Sequence, residues 1–141
     1  MRRLLAAVSA IALAACAAAA PAPKGWQPVA GAPGTWSTGT GAATQSYVYA
    51  SSSFGGTLQD LASQVAIDAV LHRHAKMLRS EPFTSCPGLA GLARFTLPGG
   101  AGLEEGFRVL DGRSVRVTYE RPAGVPADPA AIEAMKSALC P

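Results

Sequence analysis

The chain has 141 residues, 49% of them hydrophobic, and its 12 Lys and Arg against 9 Asp and Glu give a formal net charge of +3. Part of that hydrophobic content is alanine in the first 20 residues, which also hold Arg2 and Arg3; without those two, ten basic residues face nine acidic ones and the net charge falls to about +1. Such a balance offers no basic stripe or arginine-rich helix, so nucleic acid is excluded as a partner.

The chain opens with "MRR", and an apolar run from Leu4 to Ala15 follows, broken only by Ser9. A charged start, an apolar core and a small-residue end form the pattern of a secretory signal. The run falls short of the ~20 apolar residues needed to span a bilayer core, so residues 1–15 are expected to be a signal peptide that is removed.

The run closes on "LAAC", Leu13 to Cys16. This stretch resembles the bacterial lipoprotein signal, in which the cysteine thiol is diacylated and becomes the new N-terminus. The resemblance implies a membrane anchor at Cys16 and a periplasm-facing protein. Ala17 is not an aspartate retention signal, so the outer membrane is favoured in a cell that has two. The competing reading is cleavage within Ala17 to Ala20, which gives a soluble periplasmic or secreted protein. Pro21 would hinder that cut. If Cys16 carries lipid, Cys86 and Cys140 remain as an even pair, expected to form a disulfide in an oxidising compartment.

Residues 16–24, the lipidated cysteine and "AAAAPAPK", lack periodicity and read as a tether. Residues 25–141 have the length of a single domain, expected to be α+β. "GWQPVAGAPGTWSTGTG" is loop-like, yet Trp26 and Trp36 are costly to leave exposed, so at least one should pack on the domain. "QSYVYAS" (45–51) predicts a strand with Tyr47 and Tyr49 on one face and Val48 and Ala50 on the other.

Thr57 and Asp60 form an approximate capping box ahead of "LQDLASQVAIDAVLHRHAKML", which predicts one long helix over 58–78. Leu58, Leu61, Ala62, Val65, Ala69 and His72 share a face; Ile67, Val70 and Leu71 form a second apolar patch. A β-rich half follows. Val115, Val117 and Tyr119 alternate with Arg116, Thr118 and Glu120, and Asp111-Gly112 signals a tight hairpin before them. With "LARFTL" and "LEEGFRVL" this predicts a three-stranded antiparallel meander. Asp128 as N-cap and Pro129 at the first helical position predict a C-terminal helix with Ile132, Met135 and Leu139 as its apolar stripe.

The expected architecture is therefore an antiparallel sheet with a meander, packed against a long central helix and a C-terminal helix. On "GGTLQDLASQ", "CPGLAGLARFTL", "GFRVLDGRSVRVTYERPAG" and "DPAAIEAM", the region from Tyr47 to Cys140, about two thirds of the chain, resembles the Mog1/PsbP-like α+β sandwich, a fold also used by small bacterial envelope lipoproteins. That resemblance implies a binding or accessory role rather than an enzyme.

The residues that carry chemistry are few. His72 and His74 point about 200° apart on a helix, which excludes a shared metal ion. No metal or cofactor is expected. Glu104 and Glu105 are adjacent and face opposite sides of a strand. The glycines of "PGGAG" lack the spacing of a phosphate loop.

Arg94, Arg108, Arg116 and Thr118 are the candidate contacts for an anionic group or a partner, on the expectation that they line the polar face of the meander. The expected function is a lipid-anchored cell-envelope protein that binds an envelope protein or component without catalysis. Two alternatives stand beside it. One is a secreted hydrolase using Glu81, Glu105 or Glu120; the other is a small inhibitor presenting "FTSCPG" (83–88).

Overall fold

The computed structural model describes residues 20–141, so the leader and Cys16 lie outside the described residues. Seven antiparallel strands form one sheet in the order β1-β2-β3-β7-β6-β5-β4. They are β1 (Gln27–Pro28), β2 (Thr35–Thr38), β3 (Gln45–Ser53), β4 (Lys76–Pro82), β5 (Ala90–Thr96), β6 (Gly102–Leu110) and β7 (Arg113–Arg121). Helix α1 (Leu58–Ile67) lies between β3 and β4, and helix α2 (Pro129–Leu139) closes the fold.

The two helices cover opposite faces. Along β6 and β7, Leu103, Glu105 and Phe107 share one face with Arg116, Thr118 and Glu120, and α1 packs there through Leu61, Val65 and Ala69. Gly106, Val115, Val117 and Tyr119 share the other, beneath Ala131, Met135 and Leu139 of α2. Strand alternation thus divides the core in two, one half under each helix. At Gly106 a Cβ would stand 2.6 Å from Leu139 Cδ1 and 3.2 Å from Met135 Sδ, so the absence of a side chain lets α2 rest directly on β6.

The meander is β5–β6–β7, as the alternation predicts. Asp111 (φ 51°) and Gly112 (φ 70°) both adopt positive φ between β6 and β7, the requirement of a primed two-residue turn. The α1 cap is a true capping box: the Asp60 N–H donates to Thr57 Oγ1 at 3.2 Å, and the Thr57 N–H donates to Asp60 Oδ2 at 2.7 Å. Asp128 caps α2 by accepting the Ala130 N–H at 2.8 Å. Cys86 and Cys140 are disulfide-bonded, which pins the end of α2 to the 83–88 loop.

Several expectations are corrected. The single helix over 58–78 is instead ten α-helical residues followed by a π-helical turn, Asp68–His72. His74 (φ 55°) then reverses the chain, the Ala75 N–H closes on the Ala69 carbonyl at 2.9 Å, and "KML" enters β4. Helix propensity along "HAKML" yields to pairing with β5, a long-range choice that local periodicity does not register.

His72, placed on the buried face by simple helical spacing, is exposed because the wider π turn shifts it toward solvent. Ile132 is exposed too. The small residues Ala131, Ala134 and Ala138, with Met135 and Leu139, make the buried stripe of α2.

The N-terminal segment is more ordered in its packing than a loop. β1 and β2 form a short hairpin, and Trp26 is buried edge-to-face against Tyr47 and Tyr119. Packing starts before Gly25: Pro23 is buried, and the Trp26 N–H donates to its carbonyl at 3.2 Å. The packed surface therefore reaches into the segment expected to be tether.

Candidate functional site

Most of the charged side chains of the meander fall into two networks, one on each face. On the α1 face, Glu105 is only 5% exposed. Its Oε2 accepts the Thr118 hydroxyl at 3.0 Å and lies 3.8 Å from Arg116 Nη2. Arg116 Nη1 reaches in turn to Asp68 Oδ2, 2.7 Å away at the start of the π turn. Asp68 Oδ1 is 3.4 Å from His72 Nδ1. One turn further, Arg73 donates to Glu120 Oε2 at 2.7 Å. Two charge-assisted bonds thereby hold the irregular end of α1 against β7.

Burial raises the Glu105 carboxyl above the ordinary carboxylate range, and the Asp68 charge adds to the rise. Arg116, the Thr118 hydroxyl and Arg73 act the other way without cancelling it. At the other end of α1 the effect is reversed: the hydrogen bonds from Thr57 hold the exposed Asp60 carboxyl below its ordinary value.

The second network crosses four strands on the α2 face. Arg79 Nε lies 2.7 Å from Glu81 Oε2, and Arg94 Nη1 donates to Glu81 Oε1 at 3.3 Å. Arg121 Nη1 donates to Glu104 Oε1 at 3.1 Å, with Arg94 Nε 3.8 Å from the same oxygen. The Arg121 guanidinium also lies over the Tyr119 ring, 5.6 Å from its centroid. Arg94, Glu104 and Arg121 line a cleft of about 280 Å³ beside the Pro122–Val125 loop.

The four candidate contacts do not converge. Register places Arg94 opposite Glu104 and Arg108 opposite Ala90 and Val115, all on the α2 face. Arg116 and Thr118 lie on the α1 face, opposite Phe107 and Glu105. The expectation of one shared polar face therefore gives way to two separate clusters, because β6 and β7 alternate across a sheet covered on both sides.

Arg94 and Arg116 are each committed to carboxylates. An anion bound there would have to displace Glu104 or Glu105, both nearly enclosed. Arg108 differs: its Nε is buried without a hydrogen-bond partner among the described residues. The three carboxylates of the hydrolase alternative are also divided, Glu81 on the α2 face and Glu105 with Glu120 on the α1 face. In "FTSCPG", Phe83 is buried, Cys86 is bonded to Cys140, and Thr84 and Ser85 are exposed.

A cavity of about 420 Å³ lies between the first turn of α1 and the ends of β4 and β5. Leu58, Ala62, Ala90 and Phe107 supply its apolar wall, with Gln59 and Ser80 among its polar lining. The Phe107 ring crosses Gly91, where a Cβ would stand 2.5 Å from the ring, so Gly91 lets this wall close.

Sequence reasoning did not pair Asp68 with Arg116 or Glu104 with Arg121. The Glu104–Arg94 relation was within reach, because a turn joining Thr96 to Gly102 sets those residues opposite each other. The Asp68–Arg116 bond carries no such signal, since it depends on how α1 lies across the sheet.

Among the described residues no helix is long and apolar enough to cross a membrane, and no group of three or more His, Cys, Asp or Glu is placed to hold a metal ion. Comparisons with protein-family models, curated proteins and solved structures find no match for this chain.

Proposed function

We propose that this protein is an exported, lipid-anchored module of the cell envelope that works by binding an envelope protein or component. The observation that carries this is the pairing of Cys86 with Cys140, which accounts for two of the three cysteines. The remaining one is Cys16, at the end of "LAAC". A disulfide suits an oxidising compartment, and a lone thiol in such a compartment is best explained by a modification that uses it.

A binding role fits the charged networks, in which Arg94 and Arg121 are tied to carboxylates as braces between strands and Arg116 to Asp68 as a brace between β7 and the end of α1. The Mog1/PsbP-like sandwich belongs to the same proposal. An antiparallel sheet with one helix on each face supports it.

The test is the intact mass of the protein extracted from membranes of its own cell type, with and without reduction. The expected mass is that of the chain from Cys16 plus diacylglycerol, with two hydrogens gained on reduction. An unlipidated chain beginning near Ala20 or Pro21 would overturn the anchor.

A further inference from the structure

We infer that the domain lies with α2 and the N-terminal segment against the bilayer, and that the α1 face, with its exposed apolar ridge, is turned toward the aqueous space. The inference rests on the proposed lipid at Cys16 and deepens it by naming the phospholipid surface as the occupant of one face.

Covalent geometry limits the distance. From Cys16 to Pro21 the chain has five steps, which reach at most ~18 Å even fully extended. A domain held that closely stays next to the headgroups, and the surface around its attachment point is the part nearest to them.

The point of attachment selects that part. Pro21, Ala22 and Lys24 lie beside Ala130, Glu133 and Ser137 on the outer side of α2, where they border a groove of about 340 Å³. Lys136 and Ile132 are exposed on the same helix. Apolar Pro21, Ala22, Pro129 and Ile132 with the cations of Lys24 and Lys136 suit the boundary between headgroups and acyl chains.

The opposite face is out of reach. A helix, a sheet and a second helix stack to about 30 Å, longer than the whole tether. Ile67, Val70 and Leu71, on and after α1, are 48%, 39% and 63% exposed. They lie on the side of the sandwich away from the attachment, so they are presented to the aqueous compartment.

The mature chain has three lysines, Lys24, Lys76 and Lys136, all exposed, which makes a direct footprint available. Purified lipoprotein is added to preformed phosphatidylethanolamine/phosphatidylglycerol vesicles and treated with a membrane-impermeant sulfonated amine-reactive ester. The rate at each lysine is read by peptide mass. The reference is the same protein with a Gly/Ser segment of about 20 residues inserted between Ala20 and Pro21, long enough to free the domain.

Relative to Lys76, Lys24 and Lys136 are expected to react severalfold more slowly in the native-length chain and to lose that protection in the lengthened one. Unchanged ratios between the two chains would overturn the orientation. Intact mass on the same sample separates the two failures. A lipidated chain with unchanged ratios removes the orientation alone, whereas a chain without the acyl mass removes the anchor and the orientation with it.

Discussion

The indole nitrogen of Trp26 donates to Asp128 Oδ2 at 3.0 Å, joining the first packed aromatic residue to the N-cap of the last helix across 102 positions of sequence. Asp128 Oδ1 meanwhile accepts the Ala130 N–H, and the Asp128 N–H donates to the Tyr119 hydroxyl at 2.9 Å. Tyr119 in turn donates to Gln45 Oε1. One carboxylate thus serves as a helix cap and as the partner of a buried indole, so the two ends of the domain are stabilised together. Asp128→Ala should cost about 2 kcal/mol, the upper part of the range for an N-cap, because the Trp26 N–H loses its partner as well. Asp128→Asn retains an acceptor and should cost about half as much. Urea unfolding of both variants checks this; equal losses would show that charge, rather than accepting geometry, matters at this position.

Tyr47 presents the opposite situation. Its ring is fully buried between Trp26 and Trp36, yet its hydroxyl finds no hydrogen-bond partner among the described residues. Burial, assisted by Tyr49, pushes the phenol well above its ordinary range. Tyr47→Phe keeps the aromatic packing and removes an unsatisfied polar atom, so it should raise stability by about 1 kcal/mol. A loss of stability in thermal unfolding would mean that the hydroxyl is hydrogen-bonded in solution.

The Cys86–Cys140 bond closes a loop with a sequence separation of 54. In the chain-entropy treatment a loop of that size is worth about 4 kcal/mol. The double variant Cys86→Ala/Cys140→Ala should therefore lose that order of stability and fray α2 from its C-terminal end. Hydrogen exchange across 129–140 distinguishes fraying from global loss: protection should fall first at Ala138 and Leu139.

Glu105 makes stability depend on pH in a defined direction. Its carboxyl is raised in the folded state, so the folded chain binds that proton more tightly than the unfolded chain does. The resulting stabilisation is complete below the ordinary carboxylate value and is lost as pH rises from there through the raised folded value. Glu105→Gln should abolish this part of the pH dependence and leave the Thr118 hydroxyl a carbonyl acceptor. Asp68 retains Arg116 at 2.7 Å, so the end of α1 should stay in place. Denaturation midpoints of both proteins across the acidic range measure the effect, and parallel curves would show that Glu105 does not titrate in this way.

Much of the meander was legible in advance because its signals are local. Val115, Val117 and Tyr119 alternate with Arg116, Thr118 and Glu120 whatever the sheet packs against, and Asp111-Gly112 can form its turn from two residues alone. The capping box at Thr57 and the cap at Asp128 are likewise contained in a few neighbouring positions. The cysteine pairing followed from parity and the expected compartment rather than from geometry, and α2 brings the two sulfurs together.

The candidate contacts were less legible for a physical reason. Alternation states that Arg108 and Arg116 each sit on one side of a strand, but register across the hairpin decides whether the sides coincide, and Arg108 pairs with Val115. Sequence by itself determined β3, the meander strands, the hairpin turn at Asp111-Gly112, the caps and the balance of charge, because these depend on the residues within one element or one turn. Only the tertiary structure decided that α1 ends in a π turn at Asp68–His72, that "KML" becomes an edge strand, that Trp26 docks on Tyr119, and that the arginines divide between two helix-covered faces. Each of those outcomes is set by contacts between segments distant in sequence, where pairing and burial outweigh local preference.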